Sequence, residues 1–295
     1  MRRIDSDFLS GGTRCAGWLY LPDGVATPPV VVMAHGIAAE RTFRLPAFAE
    51  RFAERGLAVF LFDYRNFGDS DGQPRNLINP GRHVQDWNAA ISHVRSLGEV
   101  DGDRLALWGT SFAGGHVLVA AAKNPSVSAV VSQVPFVDSI ASALMFSPLH
   151  VLKGLYHSMR DFLRILTFRS PHCIPVVADP ESFALMNTPD SRPGYMALVP
   201  EDSAWRNECP ARIVMTLLLY RPVTSARNIK CPVFIVCAED DSLTPARAVA
   251  RTARKIDNCE LVNLPAGHFD VYYGDVFEQV VRIEGDFLHR NLHRD

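Results

Sequence analysis

Arg104-Leu105-Ala106-Leu107-Trp108-Gly109-Thr110-Ser111-Phe112-Ala113-Gly114-Gly115 is the stretch on which the fold turns. Residues 104–108 read as a strand, and Gly114 to Lys123 as a helix, with Ser111 at the bend between them. A serine on so sharp a strand-to-helix turn requires small residues two positions before and after it, because larger side chains would collide. Gly109 and Ala113 meet that demand, although the usual G-x-S-x-G form has glycine where Ala113 stands. Gly114 and Gly115 then let the helix begin close against a sheet. A serine also favours a helix N-terminus as a cap, so the stretch taken alone admits a purely structural reading.

The flanking sequence gives this bend its context. Pro29-Val30-Val31-Val32-Met33-Ala34 is a buried strand ending at His35-Gly36, and Leu57-Ala58-Val59-Phe60-Leu61-Phe62 is a second. A helix from about Leu45 to Arg55 separates them, with Leu45, Phe48, Ala49 and Phe52 on one face and Gly56 closing it. A helix from His83 to Leu97 precedes the strand at 104–108, and Val127-Ser128-Ala129-Val130-Val131-Ser132 follows as another strand. Strands alternating with helices at this spacing require crossover connections and a mainly parallel sheet covered on both faces. Ahead of them, Ile4 to Ser10 and Thr13 to Leu21 form an antiparallel pair joined at Gly11-Gly12.

Between Phe136 and Ile229 the rhythm breaks into helix-like pieces interrupted by prolines. It resumes with strand Val233-Phe234-Ile235-Val236-Cys237, a helix from Pro245 to Ile256, strand Glu260-Leu261-Val262 and a terminal helix from about Asp275 to Leu292. Residues 1–136 and 230–295 therefore make one α/β catalytic domain, and residues 137–229 a folded, largely helical cap inserted into it.

Composition narrows the function. Apolar residues make up 47% of the 295 positions and charged residues 21%, the balance of a globular chain with a substantial core. Thirty basic residues against 32 acidic ones leave no cationic excess for a phosphate backbone, so no nucleic-acid partner is expected. No apolar run approaches the roughly 20 residues of a membrane span. Met1 to Asp7 has basic residues with no apolar stretch behind them, so no secretion signal is expected. None of the six cysteines forms a C-x-x-C pair, which fits reduced thiols in a cytoplasmic protein. No nucleotide-binding glycine motif is present, and neither cofactor nor metal is expected.

A serine hydroxyl is a weak nucleophile until a base takes its proton and a third group orients that base. The strand ending at Cys237 runs into Ala238-Glu239-Asp240-Asp241-Ser242-Leu243-Thr244-Pro245, and the next leads to Leu264-Pro265-Ala266-Gly267-His268-Phe269-Asp270. Ser111, an acid and His268 thus lie beyond the carboxyl ends of successive strands, where open α/β sheets place their sites.

With His35-Gly36, the serine turn, Asp241-Ser242-Leu243-Thr244-Pro245 and Gly267-His268-Phe269 in this order, the chain resembles an α/β-hydrolase over essentially its whole length. The resemblance implies Ser111 as nucleophile, His268 as base and Asp241 as acid. Asp241 is preferred to Asp240 because Pro245 follows four residues later, as is common in the family; Glu239 and Asp240 are then loop charges. Asp138 is a further candidate, since some relatives place the acid after the preceding strand. The oxyanion hole is assigned to the backbone N–H groups of Phe112 and Ile37, with Ala38 as the alternative to Ile37. His35 and Gly36 support that loop without taking part in the chemistry.

Phe62 to Gly72, Ser132-Gln133-Val134-Pro135-Phe136 and His268 to Tyr272 resemble more narrowly a bacterial subgroup related to dienelactone hydrolases and fungal polyketide transferases. Dienelactone hydrolases use a cysteine where Ser111 stands. The expectation is a serine hydrolase of carboxylesterase type acting on a small-molecule acyl substrate. An acyltransferase, thioesterase or amide hydrolase on the same residues is the alternative, and a non-catalytic binding protein the contrasting class. The apolar cap, with residues such as Phe146, Leu149, Leu155 and Phe162, favours a hydrophobic substrate. A homodimer is left open.

Overall fold

The computed structural model describes residues 1–293. The chain opens with β1 (Arg2–Asp5), β2 (Phe8–Ser10), β3 (Thr13–Cys15) and β4 (Gly17–Leu21). The expected antiparallel pair is present but split into two ladders, β1 with β4 and β2 with β3. The break falls where the Asp7 carboxylate takes the Gly17 N–H at 3.2 Å and the Ala16 N–H turns to Ser70 Oγ at 2.8 Å. Gly11 and Gly12, both at positive φ, make the tight turn.

The alternating region follows as β5 (Pro29–Ala34), α1 (Leu45–Ala53), β6 (Ala58–Phe62), α2 (Pro80–Arg95), β7 (Asp101–Thr110), α3 (Phe112–Lys123) and β8 (Ala129–Gln133). Residues 137–229 contain α4 (Ser139–Ala143), α5 (Pro148–Leu166), β9 (Cys173–Ile174), α6 (Ser191–Leu198), β10 (Cys209–Pro210) and α7 (Ile213–Leu218). The chain closes with β11 (Val233–Ala238), α8 (Ala246–Ala253), β12 (Cys259–Leu264) and α9 (Gly274–Leu292).

Eight strands form one sheet in the order β1-β4-β6-β5-β7-β8-β11-β12. From β6 to β12 every neighbouring pair is parallel, and β4 and β1 are added antiparallel at one edge. Residues 30–34 and 58–62 are wholly buried, as strands covered on both faces must be. Helices pack in two groups, α1 with α9 and α2 with α3. Beside α1 and α9, Phe48 packs against Trp108 and edge-on to Phe277, with centroids 5.0 and 4.9 Å apart. Beside α2, Trp87 donates its indole N–H to the Tyr64 hydroxyl at 2.9 Å.

Two boundaries differ from expectation for local reasons. Helix α2 starts at Pro80 rather than His83 because the Asn79 side chain caps it, accepting the Arg82 N–H at 3.0 Å, with proline at the first position. Helix α3 starts at Phe112, directly after the bend, so β7 and α3 have only Ser111 between them.

Candidate active site

Ser111 sits at φ 55°, ψ −117°, a conformation that side chains other than glycine rarely adopt. The surroundings enforce it. The Ser111 N–H bonds the Gln133 carbonyl at 2.8 Å, and its own carbonyl accepts the Phe136 N–H at 2.9 Å, so the turn is held by β8 and the chain after it. A Cβ on Gly109 would collide with the Ala113 carbonyl, which is why the position two before the serine must be bare. Below the turn, Gln133 Nε2 donates to Thr110 Oγ1 at 2.9 Å, and Thr110 Oγ1 lies 2.6 Å from the Tyr272 hydroxyl. That contact braces the serine turn against the segment carrying His268.

The parallel pairing of β11 and β12 brings the other two groups up together. Beyond the last ladder residues, the Glu239 N–H bonds the Leu264 carbonyl at 2.9 Å and the Asp240 N–H bonds the Ala266 carbonyl at 3.1 Å. The loops bearing Asp241 and His268 therefore leave the sheet side by side. His268 Nε2 lies 3.0 Å from Ser111 Oγ, and His268 Nδ1 lies 2.6 Å from Asp241 Oδ2. The other carboxylate oxygen accepts the N–H groups of Leu243 and Thr244 at 2.8 and 2.7 Å, while the Thr244 hydroxyl donates to Oδ2 at 2.7 Å. Burial works to raise the Asp241 pKa, but the His268 charge and these hydrogen bonds outweigh it and hold the carboxyl below its ordinary value. Such a row can draw the serine proton onto the imidazole while the carboxylate stabilises the resulting imidazolium.

Phe112 opens α3, so its N–H is one of the four that have no acceptor inside the helix. Ile37 lines the same cavity as Ser111 and Phe112. The loop bearing Ile37 is held from a distance in a way the sequence did not suggest. Tyr195 Oη donates to the Ile37 carbonyl at 2.9 Å, and Trp205 Nε1 to the Ala38 carbonyl at 2.8 Å. Ala38 itself is at φ 55°, so the loop takes a constrained path. No spacing rule connects residues 195 and 205 to residue 37; only their aromatic character, with one polar atom each, could have flagged them.

The remaining candidates lie elsewhere. Asp138 caps α4 through the Ile140 N–H and makes a two-pronged pair with Arg221 at 2.9 and 3.0 Å, so the structure assigns it to that arginine. Glu239 and Asp240 are exposed. His35 is buried, with Nδ1 3.0 Å from the Gly36 carbonyl; burial lowers its pKa and keeps it neutral. A Cβ on Gly36 would come 3.3 Å from Ser111 Cβ, so this loop passes directly over the serine.

Ser111 opens into an apolar cavity of about 120 Å³. Its walls include Phe136 and Leu243 beside the sheet and Phe146, Met186, Leu217 and Leu218 from the segment between β8 and β11. No helix of the described residues is long and apolar enough to cross a membrane.

The family model described as serine aminopeptidase, S33 (Hydrolase_4) matches residues 26–268. The quorum-quenching protein AidA of Acinetobacter baumannii is 40% identical over 287 residues, 97% of this chain and 94% of that protein. The polyketide transferase af380 of Aspergillus fumigatus is 29% identical over 301 residues, covering 99% of each. The solved structure of the α/β-hydrolase GrgF from Penicillium aligns with a TM-score of 0.86, 26% identity and full coverage of both chains.

Proposed function

The chain belongs to the Hydrolase_4 (serine aminopeptidase, S33) family of α/β-hydrolases, and from that premise we propose that it is a serine esterase acting on a small, hydrophobic acyl substrate. The observation that carries the reading is the unbroken row from Ser111 Oγ through both His268 nitrogens to Asp241, at the mouth of an apolar cavity. Ser111 attacks the acyl carbonyl as His268 takes its proton. The N–H groups of Phe112 and Ile37 stabilise the oxyanion. His268 then protonates the leaving alcohol and activates the water that releases the acyl-enzyme, with Asp241 fixing its tautomer. Residues 137–229 act as a cap that supplies the acyl pocket and, through Tyr195 and Trp205, supports the oxyanion loop. The six cysteines are free, which fits work in the reducing cytoplasm.

The test is hydrolysis of p-nitrophenyl esters of graded acyl length, with Ser111→Ala alongside. Turnover that peaks at one length and disappears in the variant is expected; turnover that survives it removes Ser111 as nucleophile. A relative is named for quorum quenching, so a quorum signal belongs in the same panel. A second reading, acyl transfer, draws support from the relative named as a polyketide transferase. On the same residues, an alcohol or amine would replace water in the second half-reaction. Faster release of p-nitrophenol with added alcohol, with a new ester formed, would favour it.

A further inference from the structure

We infer that this chain forms a two-fold homodimer through the outer face of α5. Leu149, Leu152, Tyr156, Met159, Leu163 and Leu166 recur along this helix at alternating spacings of three and four. Each of the six is between 51 and 73% exposed. The opposite face is anchored: Gly154, Ser158 and Asp161 are buried, and Asp161 is paired with Arg212 at 2.6 Å. The exposed row is thus a fixed surface and not a loosely docked helix.

Its shape selects the partner. A row at this spacing, flanked by the half-buried Leu155 and Phe162 on one edge and by Lys153 and Arg160 on the other, is the kind of stripe by which one helix packs along another. The row is also its own complement. When a second copy runs antiparallel, Leu149 meets the partner's Leu166, Leu152 meets the partner's Leu163, and Tyr156 meets the partner's Met159. Leucine thus packs on leucine at both ends, and a thioether meets an aromatic ring at the centre. Self-complementarity of this kind is what a two-fold interface requires.

The area is of the right size. At roughly 120 Å² of apolar surface per aliphatic side chain, and more for an aromatic, the six residues offer about 450 Å² per copy. Leu144 and Met145 before α5 and Phe168 after it, the last 99% exposed, are further exposed apolar residues at its two ends. Together they bring the exposed apolar surface of this segment to roughly 800 Å², comparable to the share each partner gives to a standard interface. Lys153 and Arg160 border the seam on one edge, where their stems cover its rim and their charges reach solvent. His150, Val151 and Gly154 of the same helix line the acyl cavity, so the seam lies one helix away from it.

Sedimentation equilibrium of the full chain is expected to give twice the 32.7 kDa of one chain. The Leu152→Glu/Met159→Glu variant is expected to give a single chain mass with an unaltered far-ultraviolet CD spectrum. Orientation is read by cross-linking, which does not depend on those substitutions being tolerated. Under mild oxidant, Leu152→Cys/Leu163→Cys should form covalent dimers well above the wild-type background, while each single cysteine variant stays at that background. A monomeric wild type, a dimer that survives the glutamates, or cross-linking by the single variants would overturn the proposal. A wild type that is monomeric yet pellets with phosphatidylglycerol vesicles would overturn it in favour of a lipid surface.

Discussion

The Tyr195 hydroxyl donates to the Ile37 carbonyl at 2.9 Å, joining α6 to the loop over Ser111 across 158 positions of sequence. This bond and the one from Trp205 to the next carbonyl fix two consecutive peptide planes beside the proposed oxyanion donor. A buried hydrogen bond of this kind is worth about 0.5–1.5 kcal/mol. If it holds the donor for the transition state, Tyr195→Phe should lower kcat by roughly 2- to 10-fold with KM little changed. Removing the Trp205 donor by Trp205→Phe should lower kcat further. Steady-state kinetics separates the two parameters; a change confined to KM would show that Tyr195 shapes the pocket instead.

Asp241 and Asp138 are both aspartates after a strand, but their partners differ. Asp241→Asn should cost kcat about 10⁴-fold, because the amide leaves His268 in the wrong tautomer. Asp138→Asn, which only loosens the Arg221 pair, should leave kcat nearly unchanged and cost at most about 1 kcal/mol of stability, since Arg221 is partly exposed. The pH dependence has a definite sign. The folded Asp241 pKa is depressed, so its stabilising contribution is present above the unfolded value near 4 and is lost as pH falls through the lower folded value. Urea melts of wild type and Asp241→Asn should therefore converge in acid. Equal kinetic losses in the two variants would contradict the assignment of the acid.

The bend at Ser111 has unequal tolerance on its two sides. A Cβ at position 109 runs into the backbone carbonyl of residue 113, which cannot move without unwinding the start of α3. Gly109→Ala should therefore cost both activity and about 1–3 kcal/mol of stability, the usual range for overpacking. Ala113→Gly, which restores the commoner motif, should retain activity and lose no more than about 1 kcal/mol through chain entropy. Thermal melts and ester turnover on the pair test this; an active, stable Gly109→Ala would refute the steric account.

These contrasts also explain what the sequence could carry. The strand–bend–helix unit was legible because its constraint is local: residues 109, 111 and 113 meet within a single turn. The parallel sheet was legible because its buried strands are continuous apolar runs. Tyr195 and Trp205 were not, because their partners are backbone carbonyls, which carry no residue identity. The split of the first hairpin was hidden for a similar reason, since Asp7 competes for a main-chain N–H that a pattern of side chains does not reveal. The apolar residues of α5 gave no sign of their two destinations, because one face lines the cavity and another meets solvent.

Phe146, in the segment between β8 and β11, lines the cavity and is stacked on His150 with centroids 4.9 Å apart. Phe146→Ala should enlarge the cavity and move the preferred acyl chain to greater length, while the kcat for the shortest ester falls only a few-fold. Each buried methylene is worth about 0.8 kcal/mol, so one extra accommodated CH₂ corresponds to roughly a fourfold gain in kcat/KM. The p-nitrophenyl series reads this directly. An unchanged chain-length profile would place the acyl group elsewhere.

Glu284 of α9 is fully buried, and its carboxyl accepts the Trp108 indole N–H at 2.8 Å beneath the strand that leads to Ser111. Burial pushes its pKa up to about 8, against the opposing pull of the Trp108 hydrogen bond. The folded chain therefore keeps a proton that the unfolded chain releases above about pH 4.3. Between those limits the native state binds more protons than the unfolded state, so stability falls as pH rises, by roughly 3–4 kcal/mol at pH 7 from this group alone. Glu284→Gln keeps an acceptor for Trp108 and cannot ionise. Its stability relative to wild type should rise steadily between about pH 5 and pH 8 and level off above that. Urea denaturation across the range, taken as the difference between the two proteins, cancels the other titrating groups. Parallel curves would mean that Glu284 is already ionised in the folded protein.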